Sequence, residues 1–463
     1  MKKRGTMAKQ SQRIKNNDAG KTAIIDILSV IKKIYPSLFR QFNASPEYDP
    51  RNASYITYSM GLLLLMLFVK YIVSIVSMNA MSVFFENSIS IQNLYYLSGS
   101  VRFDKIPCFK TVNNFLERLD PAFLEAVRHD IIYELIRSKR ISYGRYRKMW
   151  MIIIDGTQTY GGNTPINAHC LTKVHNRGKE DETITYHRNV LEAKLWLVGT
   201  RIVFSIATEF IENDPNQVDI DTRSAEKQKQ DCELTAFYRL AKKLKERFKR
   251  LPICIMCDSL YVTQKLMDIC KEYGWSYIIR YKDGSAPTIR DYIKVAENGN
   301  DLTWVEDRQD KYAFYSGVPY YKHVLNYVRA KIVVDNKETE FQWITNLEIT
   351  SSRVIKFVEV ARGRWKIENQ GFQRQKRCEG VLEHLSSWND TALKNHYLMI
   401  QIADIFRILY ENEYIVKNEI IQTFKQVATN LCFGFSSIIL AEQARVKAMC
   451  FWEETEGEKK TTL

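Results

Sequence analysis

The stretch "RYRKMWMIIIDGTQTYGGN" marks where the chain changes character, and it constrains the fold more than any other. Before it, residues 1 to about 145 carry apolar side chains at helical spacing, as in "TAIIDILSVIKKIY" and "TVNNFLERLDPAFLEAVRHDIIYELIRSK". Within it, Met151 to Ile154 are four consecutive apolar residues, the pattern of a strand buried on both faces, and "DGT" from Asp155 predicts a turn that ends it. "TITYHRNVLEAKLWLVGTRIVFSIATEFI" predicts two more strands joined near Gly199. A long charged helix over "RSAEKQKQDCELTAFYRLAKKLKERFKR" follows, then a second buried strand, "LPICIMCD", which ends at Asp258. A helix near "VTQKLMDICKEYG" and a strand, "WSYIIRYK", complete the order strand, strand, strand, helix, strand, helix, strand. That order is an α/β fold with an acid ending its first and fourth strands.

An Asp at the end of a buried strand sits where an open α/β sheet meets solvent, which is where such sheets keep their sites. Either residue alone also fits a turn or a helix cap. Two of them on neighbouring strands carry more weight, and a third acid stands apart in "RGRWKIENQGFQRQKR", where Glu368 is the lone carboxylate among many Lys and Arg. The plain reading of that stretch is an exposed helix whose Glu makes i,i+4 pairs.

At 463 residues with 45% hydrophobic content, the chain can bury a large core and divide into two or three domains. Its formal charge of +14 calls for a polyanionic partner, and because the basic residues recur along the whole chain, nucleic acid fits better than an anionic membrane. Nine cysteines and a basic, polar start without an apolar segment behind it point to reduced thiols in a cytosol. Cys254 and Cys257 form a C-x-x-C without a second pair at zinc spacing, inside an apolar run that reads as core. His169, Cys170, His175 and His187 match no ligand template. The apolar run from Gly61 to Phe85 is long enough to cross a bilayer, but Lys70, Ser74, Ser77 and Asn79 make it a helical-domain segment and predict no membrane span. Walker and dinucleotide fingerprints are absent.

The segments "IDGTQTY" at Asp155, "MCDSLYV" at Asp258, "ITNLEITSSRVIKFVEVARGRWKIENQGF" around Glu368 and "LEHLSSWNDTALKNHYLMIQIADI" resemble bacterial insertion-sequence transposases of the DDE type, in the branch with a β-rich insertion before the final acid. The resemblance covers roughly Trp150 to Tyr410 and implies a ribonuclease H-like catalytic domain, with Asp155, Asp258 and Glu368 as catalytic, metal-binding carboxylates. It implies Mg²⁺ or Mn²⁺ as two ions, about 3.5 to 4 Å apart in such sites, held by hard oxygen ligands. The implied partners are the element's terminal inverted repeats and target DNA, engaged by a homodimer, with cleavage at the ends and transfer of the 3′-hydroxyl. Two alternatives are a nuclease of the same fold that does not join strands, and a DNA-binding relative that no longer cuts. Asp258 and Glu368 stand 110 positions apart, and much of the interval, "DLTWVEDR", "KYAFYSG", "VLNYVRAKIVVDN" and "EFQWITNL", reads as strands. The expected domains are a helical end-binding region at 1–145, a catalytic domain at 146–380 with its insertion at about 285–347, and a helical region at 381–463.

Arg364, one helical turn before Glu368, is placed to touch the scissile phosphate or orient the Glu, and Arg374 and Lys376 are further DNA-binding candidates. The signature's Tyr and Lys, seven residues before and after the Glu, are Ala361 and Gln375 here, with Lys376 one residue beyond. Trp343 and Trp304, in the insertion, are candidates for stacking on an unpaired base, with sheet packing as the plainer role. Asp231 and Glu233 read as a solvated helix face or a second acidic pair. Lys242, Lys243, Lys245, Lys249 and Arg250 read equally as a phosphate-facing or a solvated surface.

Overall fold

Met151, Ile152, Ile153 and Ile154 are fully buried, as four apolar residues in a row require, and they begin the strand β1, Trp150–Gly162. The computed structural model describes residues 2–43, 48–100, 105–213, 230–334 and 337–449. The other strands are β2 Leu171–His175, β3 Thr183–Trp196, β4 Val203–Ile211, β5 Ile253–Cys257, β6 Ser276–Tyr281, β7 Thr303–Asp307, β8 Asp310–Tyr320, β9 His323–Val334 and β10 Lys337–Thr345. The chain falls into two compact units, one of residues 140–158 and 188–371, the other of residues 1–139, 159–187 and 372–463.

In the first unit the strand order is β4–β3–β1–β5–β6–β10–β9–β8–β7. β5 lies parallel to β1 and to β6, and all five of its residues are buried, including Cys254 and Cys257, which pack as core. The helix Glu233–Phe248 connects β4 to β5 and buries Ala236, Phe237, Leu240, Ala241 and Leu244 at helical spacing. The helix Gln264–Tyr273 connects β5 to β6 and ends on Gly274, whose φ of +71° gives the left-handed cap that a side chain would strain. β7 to β10 form an antiparallel meander attached through β10 to β6, and the helix Pro287–Asn298 precedes it. This is the mixed α/β, ribonuclease H-like architecture, extended by an inserted antiparallel sheet.

Three details differ from expectation. β1 does not turn at Asp155 but runs on to Gly162, because only its first residues, Trp150 to Ile153, pair with β5 while the rest continues as a less buried strand. The predicted charged helix starts at Glu233 within the described residues, and positions 214–229 lie outside them. The segment with Glu368 is not a regular α-helix. After the α-helix Val354–Ala361 come a 3₁₀ turn, Arg362–Trp365, and π-helical turns at Ile367–Phe372 and Arg374–Cys378. Gly363 lies against the buried Trp196 of β3, and a Cβ there would overlap the indole ring.

Among its described residues the second unit is helical apart from the end of β1 and the antiparallel pairing of β2 with the start of β3. Every residue of its helix Met60–Ile72 is buried, with Phe68 edge-on to Phe39, Phe42 and Phe406. That explains the long apolar run without lipid: the helix breaks after 13 residues, Ser74 takes a positive φ, and buried Lys70 donates to the Val76 carbonyl at 2.8 Å. Among the described residues no helix is long and apolar enough to cross a membrane. The helix Asp390–Tyr410 is buried almost throughout and holds a polar network, in which Arg374 pairs with Glu379, Asp404 and Glu411 at 3.1 to 3.2 Å and Arg407 pairs with Glu379 at 3.3 Å.

Overpacking costs about 1–3 kcal/mol where neighbours cannot give way. Gly363→Ala is therefore expected to lower Tm by several degrees in calorimetry. An unchanged Tm would mean that the Trp196 indole moves aside freely and that the close approach is not required.

Candidate active site

Parallel strands that run side by side deliver their carboxyl ends to the same edge of the sheet. Asp155 follows the segment of β1 paired with β5, and Asp258 follows β5 directly, so the two carboxylates stand on adjacent strands at that edge. Each is anchored by a local backbone donor: the Gly156 N–H donates to Asp155 Oδ1 at 3.1 Å and the Leu260 N–H to Asp258 Oδ1 at 2.9 Å. Asp258 thus also caps the short 3₁₀ turn Ser259–Tyr261, the plainer role for such an Asp, through one of its two oxygens.

Arg364, from the 3₁₀ turn, donates through Nη1 to Asp155 Oδ2 at 3.2 Å. The expectation that it orients Glu368 is corrected here: the 3₁₀ and π turns change the helical phase, and the guanidinium goes to Asp155. Glu368 is exposed, and no described residue bonds to its carboxylate, yet its charge acts on Asp155. Burial pushes the Asp155 carboxyl up to about 6, Arg364 opposes the rise, and Asp258 and Glu368 add to it.

One acid of the pair Asp231 and Glu233, offered by the sequence as a second acidic pair near the site or a solvated helix face, joins this cluster. Asp231 and Glu233 separate in the structure: Asp231 accepts from Arg239 at 2.7 Å, whereas Glu233, in the first helical turn, sits against Gly156, where a Cβ would overlap its carboxylate. Burial raises Glu233 above the usual carboxylate range, with Asp155 and Asp258 contributing, and the Tyr261 hydroxyl donates to it at 3.4 Å. The available signal was the acid in the first turn of the helix before the Asp258 strand, but nothing in the sequence says which of two acids turns inward.

Other candidates are placed differently. Arg374 is buried in its carboxylate network, so it has no exposed face to offer a phosphate, and its assignment to DNA is corrected. Gln375, at the signature's Lys position, is fully buried and donates to Gln401 at 3.1 Å and Asp404 at 2.8 Å. A lysine there would face the interior of that unit. Lys376 is partly exposed and pairs with Glu383 at 3.1 Å. Trp343 is buried, stacked on Phe341 and edge-on to Phe357, as the sheet-packing reading has it. Trp304 is half exposed, beside Glu297 and Arg329. Lys243 and Lys245 are held by Glu209 and by the Tyr273 carbonyl. His175 and His187 both bond to the Thr185 hydroxyl, at 2.8 and 2.7 Å.

The cluster stores electrostatic strain. Because the folded chain keeps the Asp155 proton to about pH 6 while an unfolded chain releases it near pH 4, stability is lost as pH rises through that interval. Asp155→Asn is expected to raise Tm by a few degrees above pH 6 in EDTA, with the gain shrinking towards pH 4. A gain independent of pH would put the effect elsewhere than in the Asp155 charge.

No curated protein matches the chain. Residues 226–400 match the family model described as "Transposase DDE domain", a span that contains Asp258 and Glu368 and begins after Asp155. Together with the sheet that carries Asp155 beside Asp258, that match supports an insertion-sequence DDE transposase.

Proposed function

We propose that Asp155, Asp258 and Glu368 are the catalytic carboxylates of a transposase that cuts the ends of an insertion sequence and joins the 3′-hydroxyl to target DNA. The observation that supports this most is the placement of Asp155 and Asp258 at one edge of adjacent parallel strands, with Glu368 close enough to act on Asp155. The donor set fits two Mg²⁺ or Mn²⁺ ions: it is all carboxylate oxygen, as hard cations prefer, and it has Arg364 as its paired cation, which leaves negative charge uncompensated. Bound there, the metals would activate the attacking oxygen and stabilise the leaving one.

The chain's own residues supply the rest. Arg364 neutralises Asp155 in the free protein, and once that charge is met otherwise its guanidinium can pair with the scissile phosphate. Glu233 adds a fourth carboxyl group beside Gly156, under the influence of Asp155 and Asp258. Lys376, one residue beyond the buried Gln375, is a further candidate for contact with a DNA phosphate. Trp304, with an exposed face, is the better placed of the two insertion tryptophans to stack on an unpaired base. The helical region at 1–145 binds the terminal repeats, two copies assemble on the DNA, and the reaction takes place in the cytoplasm at the nucleoid. Charge and family analogy support those assignments.

Incubating labelled element-end DNA and a target plasmid with Mg²⁺ or Mn²⁺ tests this. Wild type is expected to nick and join. Glu368→Gln is expected to lose about 10³-fold or more in rate, since each 1.36 kcal/mol of lost stabilisation is tenfold, while still binding the DNA. Equal rates for both proteins would remove Glu368 from the chemistry. Nicking without joining would leave a nuclease.

A further inference from the structure

Beside Asp258 the sheet unit has a cavity of about 260 Å³ lined by Arg280, Lys282, Phe341, Arg362 and Arg364. Its construction follows from the sheet register. Trp343 on β10 is the direct cross-strand partner of Arg280 on antiparallel β6, and Phe341, two residues before Trp343, lies on the same face. The Arg280 guanidinium consequently lies over the Phe341 ring at 4.8 Å and the Trp343 ring at 5.2 Å, and the Arg362 guanidinium lies over Phe341 at 5.2 Å. Two cations are held by aromatic faces that offer no negative charge.

No carboxylate of the described residues pairs with Arg280, Arg362 or Lys282. The hydrogen bonds of Arg280 go to the carbonyls of Gln342 and Glu340, both at 3.3 Å. Burial and the nearby Arg364 bring Arg280 down to about 10, with Glu340 and Tyr327 opposing the fall. Two arginines held on aromatic faces, with no carboxylate in ion-pair contact, on the rim of a cavity are suited to receive an anion. The Asp258 carboxylate at the same cavity places that anion next to the proposed chemistry.

We propose that this cavity is a phosphate subsite, in which Arg280 and Arg362, laid flat by Phe341 and Trp343, hold a phosphodiester of the DNA strand adjacent to the bond that is cut. The subsite rests on the transposase reading, since it needs a DNA strand at Asp258. It gives Trp343 a different part from base stacking: the indole is buried and its face carries Arg280, so Trp343 is a positioning residue that acts through the arginine.

The test is the salt dependence of binding of labelled element-end DNA in EDTA. Losing one phosphate contact lowers the slope of log K against log salt by about 0.7 to 0.9. Arg280→Gln is expected to show that loss. Arg280→Lys is expected to keep the slope while binding more weakly, because the charge stays and the planar fork is lost. Trp343→Leu is expected to weaken binding equally on intact DNA and on DNA whose terminal bases have been removed to leave abasic sites. A wild-type slope for Arg280→Gln, in protein that melts as wild type does, would overturn the subsite. So would a Trp343→Leu defect that vanishes on abasic DNA, since that is the signature of stacking. Failure of wild type to bind element-end DNA at all would overturn the transposase reading itself.

Discussion

The parallel pairing of β1 with β5 is the constraint on which the rest of the site depends. Two short runs of apolar residues, Met151 to Ile154 and Ile253 to Cys257, are buried on both faces, and fully burying each large side chain contributes about 1.5–3 kcal/mol, so their register is strongly set. Polar residues cannot enter such strands without cost and appear where the burial ends. The first available positions on the two strands are Asp155 and Asp258, and the parallel sense brings them to the same edge. Glu368 and Glu233 approach this edge from separate helical segments.

Charge is distributed around that edge in two zones. Asp155, Asp258, Glu233 and Glu368 act on one another electrostatically while Arg364 pairs with Asp155, an arrangement that opposes stability and favours added positive charge. A cavity at Asp258 has the opposite character, with Arg280, Arg362 and Lys282 on aromatic support. The proposed phosphodiester chemistry would need both, because a DNA backbone is itself negative and would be repelled by carboxylates alone. The chain separates the zones by element: the acids come from the parallel strands and helices, the cavity's aromatic support from the inserted antiparallel sheet.

The segment carrying Glu368 shows how packing alters a helix. "RGRWKIENQGFQRQKR" reads as one basic helix, yet Gly363 must pass close to Trp196, and the backbone there winds through 3₁₀ and then π turns. Such irregular turns are common at functional sites. They send Arg364 to Asp155, and further along they turn Arg374 and Gln375 into a buried polar network, which accounts for a glutamine where the related signature has lysine.

Much was legible in the residues alone. The apolar runs set the strands, the acids beyond two of them fell at one edge of the sheet, the alternation between Thr303 and Thr345 announced an antiparallel insertion, and the charge of +14 called for a polyanionic partner. Those properties are local: strand period, run length and net charge are written in neighbouring residues. What only the tertiary structure decided is which side chains face each other across distant segments. Glu233 rather than Asp231 joins Asp155, Arg374 turns to Glu379, Asp404 and Glu411, and Trp343 lies under Arg280. Each of these depends on helical phase or cross-strand register, and both are set by packing against parts of the chain that are far away in sequence.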